Sequence, residues 1–176
     1  MKMVLHMNNE NRVSLRALKN EDEKLILKWK SNEELREMLG TVYPISELEH
    51  MKWFENKMME KNNKNFIIEQ NDQAKGLLGF NQIDWINRNA EIFIFIGETS
   101  QQGMGIGKQA MQQLIDFSRK NLNLHMLYLN VFSYNSGAIK MYEKIGFNID
   151  GRLRESKFNK GKYHDTIIMS KLLNEG

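Results

Sequence analysis

Apolar and polar residues alternate with two different periods along the chain, and the change of period separates predicted strands from predicted helices. Alternation at Val13, Leu15 and Ala17 predicts a first strand. Capping patterns then predict three helices: one over about Glu21–Lys30 behind an Asn20 cap, one that begins after Ser31 and ends near Gly40, and one that begins after Ser46 and runs to about Lys61.

The remainder of the chain is dominated by predicted strands. We predict strands at Phe66–Glu69, Gly76–Asp84, Ala90–Ile96 and Met126–Phe132, with final strands near Asn148–Phe158 and Tyr163–Leu172. Two helices interrupt them, one from the glycine-rich loop Gln102–Gly107 to about Asn121, and one over Ser136–Ile145 that Gly146 ends. Antiparallel hairpins together with helical crossovers predict an α/β fold, a mixed sheet with helices on both faces.

Composition narrows the classes of protein that remain. The chain has 176 residues, which suits a single domain over residues 1–176. It has no cysteine, which excludes a disulfide scaffold, a thiolate zinc site and a cysteine nucleophile. The net charge of +3 is small and dispersed, so we expect no nucleic-acid partner.

We expect a cytoplasmic protein without a membrane partner, because no apolar run approaches the length of a membrane span and residues 1–11 do not form a signal peptide. The four histidines are scattered, with no pair at helical spacing, and we therefore expect no bound metal. They are His6, His50, His125 and His164.

The loop Gln102-Gly103-Met104-Gly105-Ile106-Gly107-Lys108 lies between a predicted strand and a predicted helix. Glycines let backbone N–H groups converge on an anion, and a helix N-terminus adds partial positive charge, so we expect a phosphate or pyrophosphate here. Gln109 follows Lys108, so the hydroxyl of a nucleotide P-loop is missing. A dinucleotide fingerprint would need an acid near the end of the next strand, which Tyr128–Phe132 lacks. A plain glycine turn remains an alternative.

The loop also resembles the Q/R-x-x-G-x-G/A loop of GNAT-superfamily acetyltransferases. A second segment, Asn135 to Phe147, is similar to the family's N-x-x-A-x-x-x-Y-x-x-x-G-F motif and follows in the same order. The resemblance covers a core of about residues 13–173 and implies a seven-stranded, mostly antiparallel, splayed sheet. It implies acetyl-CoA as cosubstrate, held by Phe95, Ile96, Gly97, Gln102, Gly103, Met104, Gly105, Ile106, Gly107, Lys108, Asn135, Ala138 and Tyr142.

Acetyl transfer to an amine needs a neutral nucleophile and a proton for the leaving thiolate. The resemblance implies that Tyr142 is the acid, although a helix tyrosine also packs on a sheet. Glu91 is the single acid in the strand Ala90–Ile96 and is a candidate base or amine ligand. The alternative for Glu91 is a solvated strand acid.

We expect a small-molecule amine as the acceptor, and two resemblances compete for its identity. The segments around Trp29 and His50 resemble amino-sugar N-acetyltransferases of the pseudaminic acid pathway, in which these residues lie near the nucleotide sugar; Lys30 replaces that group's arginine. We expect this acceptor, although helix packing would also explain Trp29 and His50. The endings Gly151–Glu155 and Gly161–Asp165 instead resemble ribosomal-protein N-terminal and spermidine acetyltransferases. A non-catalytic acyl-CoA-binding protein is a further alternative, and a homodimer is compatible with all of them.

Overall fold

A computed structural model describes residues 12–173. The predictions for residues 1–11, including His6, lie outside the described residues. The elements in chain order are β1 (Val13–Ala17), α1 (Asp22–Ser31), α2 (Glu33–Leu39), α3 (Glu47–Met59), β2 (Lys64–Gln70), β3 (Gln73–Asp84), β4 (Asn89–Ile96), a 3₁₀ turn (Thr99–Gln101), α4 (Ile106–Lys120), β5 (Met126–Phe132), α5 (Ser136–Lys144), β6 (Asn148–Asn159) and β7 (Lys162–Leu172). The predicted order of elements is confirmed.

The strands form one seven-stranded sheet in the order β1-β2-β3-β4-β5-β7-β6. Every neighbouring pair is antiparallel except β4 and β5, which are parallel. These two central strands pair only over Asn89–Glu91 and Met126–Tyr128. Beyond Glu91 they separate, and the separation opens a V-shaped cleft in the middle of the sheet.

Helices cover the two faces of the sheet and create two apolar cores. Side chains of α4 and α5, such as Ala110, Leu114 and Tyr142, pack with the β4 residues Ile92 and Ile96. On the opposite face, α1 to α3 contribute Ile26, Trp29, Leu35 and Phe54, which pack with Phe95 of β4. Because side chains alternate along a strand, odd-numbered β4 residues face α1 to α3 and even-numbered residues face α4 and α5.

The helix boundaries confirm some capping predictions and correct others. Ser46 and Glu49 form a complete capping box at the start of α3, as predicted. Asn32, not Ser31, caps α2, because its side chain accepts a hydrogen bond from the N–H of Leu35 at 3.0 Å. Asn20 does not cap α1. Instead the buried Asp22 accepts from the N–H of Lys19 and from the Arg16 guanidinium, each at 2.7 Å.

The β6–β7 hairpin contains a bulge that explains the two C-terminal sequence motifs. Residues 154–156 of β6 stand opposite Asp165 of β7. The Asp165 carboxylate accepts from the N–H of Glu155 at 2.9 Å and from Arg152 at 3.0 Å. Glu155 adopts a φ of 51°, which a non-glycine residue rarely does. The carboxylate thus stabilises a backbone conformation that Glu155 would otherwise disfavour.

Candidate active site

A cavity of about 650 Å³ occupies the cleft between β4 and β5. Its walls include Ile92, Ile94 and Ile96 from the face that packs against α4 and α5, and Glu91, Phe93 and Phe95 from the opposite face. The cavity therefore reaches both faces of the sheet. We name its α4–α5 side the donor side and its α1–α3 side the acceptor side.

The glycine-rich loop lies on the donor side, before the N-terminus of α4. Gly103 and Gly105 have φ angles of 77° and 82°, the left-handed region that glycine adopts without strain. The N-cap residue of α4 is Gly105, which has no side chain to accept hydrogen bonds from the N–H groups of the first turn. A Cβ built on either glycine would meet no atom within 4 Å, which leaves open space above the backbone. This arrangement suits an anion that approaches the loop closely.

Three lysines extend the positive charge of the donor side. Lys108, Lys140 and Lys144 all line the cavity. Asn135 also lines it, while its side-chain oxygen accepts from the N–H of Ala138 at 3.2 Å and caps α5. The donor side thus combines an apolar wall, which suits the pantetheine of CoA, with a glycine-rich loop and cationic side chains, which suit its phosphates.

Tyr142 reaches the cavity from α5 and is 6% exposed. Its ring lies 5.7 Å from the ring of Phe147. Burial raises the pKa of Tyr142, because the protein interior disfavours the phenolate. The phenol therefore keeps its proton at neutral pH, as a proton donor requires. The assignment of Tyr142 as the acid stays a prediction.

Glu91 lies at the point where β4 and β5 separate, on the acceptor side. Asn130 of β5 donates to its Oε1 at 3.1 Å. Tyr128 pairs with Glu91 across the strands, and desolvation, with the nearby Glu91 carboxylate, raises the pKa of Tyr128. Of the described residues that line the cavity, Glu91 is the single carboxylate. Its position suits a base or a ligand for a cationic amine.

Trp29 does not line the cavity. It is 2% exposed and its ring meets Phe95 edge to face, with 6.3 Å between the ring centroids. A Cβ built on Gly97 would lie 2.2 Å from the Trp29 ring, so the ring rests directly against the backbone of Gly97. The ring has no open face for a nucleotide or a sugar, and the packing explanation holds for this residue.

His50 is likewise buried, at 1% exposure, and lies outside the cavity lining. Its Nε2 donates to the Glu23 carbonyl oxygen at 2.9 Å, and its ring stacks on Trp53. Burial lowers the pKa of His50. Lys30 places its ammonium 3.2 Å from the centroid of the Trp53 ring. This group of side chains joins α1 to α3, which again favours packing over substrate binding.

The other predicted residues divide into two sets. Most of the predicted donor residues line the cavity: Phe95, Ile96, Gln102, Gly103, Gly105, Ile106, Gly107, Lys108, Asn135, Ala138 and Tyr142. Gly97 and Met104 do not line it; Gly97 lies against the Trp29 ring, and Met104 is 66% exposed.

The sequence analysis did not identify the wall that α2 contributes. Leu35, Met38 and Leu39 line the acceptor side, and Gln102 donates to the Met38 sulfur at 3.4 Å. It also missed Asn130 and Phe132, which the alternation of β5 would have placed on the acceptor side, opposite the buried Leu129 and Val131. The alternation along β5 could have predicted the side on which Asn130 and Phe132 lie, whereas the contact made by α2 depends on tertiary packing.

Residues 12–173 contain no group of three or more His, Asp or Glu side chains placed to hold a metal ion. Nor is any helix in this part of the chain long and apolar enough to cross a bilayer.

Comparison with known proteins gives consistent matches. The model of the acetyltransferase (GNAT) domain family matches residues 15–168. The spermidine N(1)-acetyltransferase of Vibrio cholerae is 32% identical, over 93% of this chain and 97% of that protein. The protein of the same description from Escherichia coli K12 is 28% identical, over 93% of this chain and 87% of that protein. A crystal structure of the Vibrio cholerae enzyme in complex with CoA and spermine superposes with a TM-score of 0.85, at 29% identity, covering 93% of this chain and 96% of that one.

Proposed function

The chain belongs to the GNAT acetyltransferase family and is an N-acetyltransferase, and from that premise we propose that its acceptor is a primary amine of an aliphatic polyamine such as spermidine. The observation that carries the proposal is the similarity to spermidine acetyltransferases along 93% of the chain. The cavity supports it, because its acceptor side combines apolar walls with one carboxylate. A methylene chain that carries an ammonium group is complementary to that surface.

The donor side fits acetyl-CoA as the cosubstrate. The glycine loop and the N-terminus of α4 would hold the pyrophosphate, and Lys108, Lys140 and Lys144 would attract the phosphates. The β4 backbone beyond Glu91, which no longer pairs with β5, has groups free to bind the pantetheine amides. When bound, acetyl-CoA supplies the thioester whose acetyl group is transferred.

Two side chains would transfer protons during the reaction. Glu91 would bind the incoming ammonium and accept its proton, directly or through water, so that a neutral amine can attack. Asn130 orients the carboxylate through its 3.1 Å hydrogen bond. Tyr142, which burial keeps protonated, would give its proton to the departing thiolate.

The comparisons favour a polyamine over the amino-sugar acceptor expected from Trp29 and His50. The relatives include spermidine acetyltransferases, the alternative that the C-terminal motifs indicated. The two residues that suggested a nucleotide sugar are buried between helices and sheet. Their spacing reflects the packing of α1 against α3, which many sequences can share without sharing a substrate.

An assay of CoA release with an amine panel tests the proposal. The panel contains spermidine, spermine, a UDP-amino sugar, a peptide with a free N-terminus and n-butylamine. We expect spermidine or spermine to give the highest kcat/KM, and Glu91→Gln to lower it by ~10²–10⁴-fold, the usual value of a positioned base. Glu55→Gln is the matched control, because Glu55 is an exposed carboxylate on α3. Turnover of the UDP-amino sugar or the peptide in preference to both polyamines would refute the proposed acceptor.

A further inference from the structure

The contact between Trp29 and Gly97 connects the acceptor-side helices to the end of β4. The nearest atoms to a Cβ built on Gly97 are all in the Trp29 indole, at 2.2 to 2.4 Å. The indole is 2% exposed, and its Nε1 has no hydrogen-bond partner among the described residues. The ring is therefore held by packing and not by a hydrogen bond, and only a residue without a Cβ fits against it at position 97.

The backbone of β3 contacts the same segment of β4 from the side. A Cβ built on Gly76 would lie 2.2 Å from the carbonyl oxygen of Phe95. The N–H of Gly97 donates to the Lys75 carbonyl oxygen at 2.8 Å, which extends the β3–β4 ladder by one residue. The segment Phe95–Gly97 is thus fixed by β3 along one edge and by Trp29 on one face.

The opposite edge of this segment faces the cleft. Pairing between β4 and β5 ends at Glu91, so the β4 residues beyond it border the cavity, and Phe95 and Ile96 line it. Gly97 is followed closely by the 3₁₀ turn and the glycine loop. A shift of Gly97 would therefore move both the strand edge and the loop that form the donor side.

We propose that Trp29 is a positioning residue for donor binding: by resting on Gly97 it fixes the end of β4 and the start of the glycine loop in the geometry that receives CoA. The inference rests on the donor side assigned under the proposed function. It gives the indole a role on the donor side, although Trp29 belongs to a helix of the acceptor side.

A reciprocal pair of substitutions tests this contact. Trp29→Leu removes the ring that contacts Gly97, and Gly97→Ala inserts a methyl group between the backbone of residue 97 and that ring. We expect each to weaken CoA binding by about tenfold, which corresponds to ~1.4 kcal/mol. In the double variant Trp29→Leu/Gly97→Ala, the smaller side chain makes room for the methyl group, so CoA should bind more tightly than to Gly97→Ala alone.

Trp53→Leu is the matched control, because Trp53 is also an indole of the α1–α3 layer but packs on Lys30 and His50. It should lower the melting temperature without changing the affinity for CoA. The affinities are measured by calorimetric titration of CoA, which does not depend on turnover. If Trp29→Leu does not fold, the comparison of Gly97→Ala with Trp29→Phe/Gly97→Ala gives the same rescue.

The outcomes separate this inference from the proposed function. If wild type binds CoA and the folded Trp29→Leu variant binds it equally well, Trp29 only fills space. The contact is also overturned if the loss of CoA affinity in the double variant equals the product of the fold-losses in the two single variants. Wild type that binds no CoA would refute the donor side itself, and the positioning role with it. A polyamine that is not acetylated, with all CoA affinities as expected, would refute only the acceptor.

Discussion

The smallest scale at which the site can be tested is the hydroxyl of one side chain. Tyr142→Phe keeps the ring that packs against Phe147 and removes only the proton donor. We expect kcat to fall by ~10²–10⁴-fold, with the affinity for CoA unchanged, because a positioned acid contributes about that much. Tyr163→Phe serves as the control, since Tyr163 is 66% exposed on β7. A Tyr142→Phe rate within twofold of wild type would mean that solvent protonates the thiolate.

The raised pKa of Tyr142 adds a prediction about pH. Burial disfavours the phenolate in the folded protein, whereas in the unfolded chain a tyrosine ionises near pH ~10. The folded enzyme therefore keeps its acid through pH ~10, and kcat should show no alkaline loss between about pH 7 and 10. The pH profile of kcat at saturating substrates measures this. A fall of kcat with an apparent pKa below 9 would indicate that the essential acid is a different group.

Four individual residues show which parts of the site could be predicted from the sequence and which could not. Tyr142 and Glu91 could be selected because each carries chemistry in a recognisable local pattern, and both line the cavity. Trp29 and His50 matched a local pattern equally well, yet both are buried. Burial is decided by which helix packs on which strand, a property of distant contacts such as the one between Trp29 and Gly97. The sequence pattern alone does not carry that information.

At the scale of an element, the glycine loop can be tested by adding a side chain. Gly105→Val places a β-branched residue at a φ of 82°, facing open space in front of α4. We expect it to abolish measurable CoA binding, because the side chain would fill the space in which the anion approaches. Gly161→Val is a matched control for backbone strain: its φ is 77°, its Cβ would also meet no atom within 4 Å, and it lies in the β6–β7 turn.

Both variants should lose stability, but only Gly105→Val should lose CoA. Differential scanning fluorimetry with and without CoA measures both effects. Equal CoA-induced shifts in the two variants would show that the loop does not hold the cosubstrate.

The contact of α1 with α3 predicts a dependence of stability on pH. Burial, together with the nearby Lys57, lowers the pKa of Lys30 to about 8. The unfolded chain, in which the pKa of lysine is about 10.4, then binds more protons between pH ~8 and ~10.4, so stability rises with pH across that window. We expect a rise of ~1–3 kcal/mol after the Trp53 contact offsets part of the shift.

Urea unfolding at a series of pH values measures this rise. Lys30→Met should abolish it, and Lys28→Met, an exposed lysine of the same helix, should keep it. A rise that survives Lys30→Met would assign the titration to another group.

The sequence predicted which helices and strands are present more accurately than it predicted the residues at which they begin and end. The capping box of Ser46 and Glu49 is a contact between residues three positions apart, so the sequence contains all of it. The start of α1 depends instead on Asp22 and its partner Arg16, which reaches it from β1 and also pairs with Glu69 of β2. Such a start is fixed by the sheet and is invisible to a local pattern.

At the scale of the whole molecule, the strand topology accounts for a single cavity that would receive both proposed substrates. A strand order with one parallel pair between antiparallel ones lets β4 and β5 pair briefly and then separate. The opening joins a donor side with three lysines to an acceptor side with one carboxylate. These charges would attract an anionic cosubstrate and the proposed cationic acceptor to opposite sides of the sheet. The homodimer with which the sequence is compatible is untested, and sedimentation velocity of the purified protein would decide it.

Ligand binding should stabilise the whole fold, because the donor side joins α4, α5 and β4, which belong to one core. At a CoA concentration of about 100 times Kd, linkage gives ~2.7 kcal/mol, and at ~2–4 °C per kcal/mol the melting temperature should rise by roughly 5–11 °C. Acetyl-CoA should give nearly the same shift, since the loop and the lysines would contact groups that both molecules share. Dephospho-CoA and adenosine, tested by the same thermal scan, should give progressively smaller shifts as phosphates are removed. Equal shifts with adenosine and CoA would mean that the phosphates contribute nothing and that the loop is a plain turn.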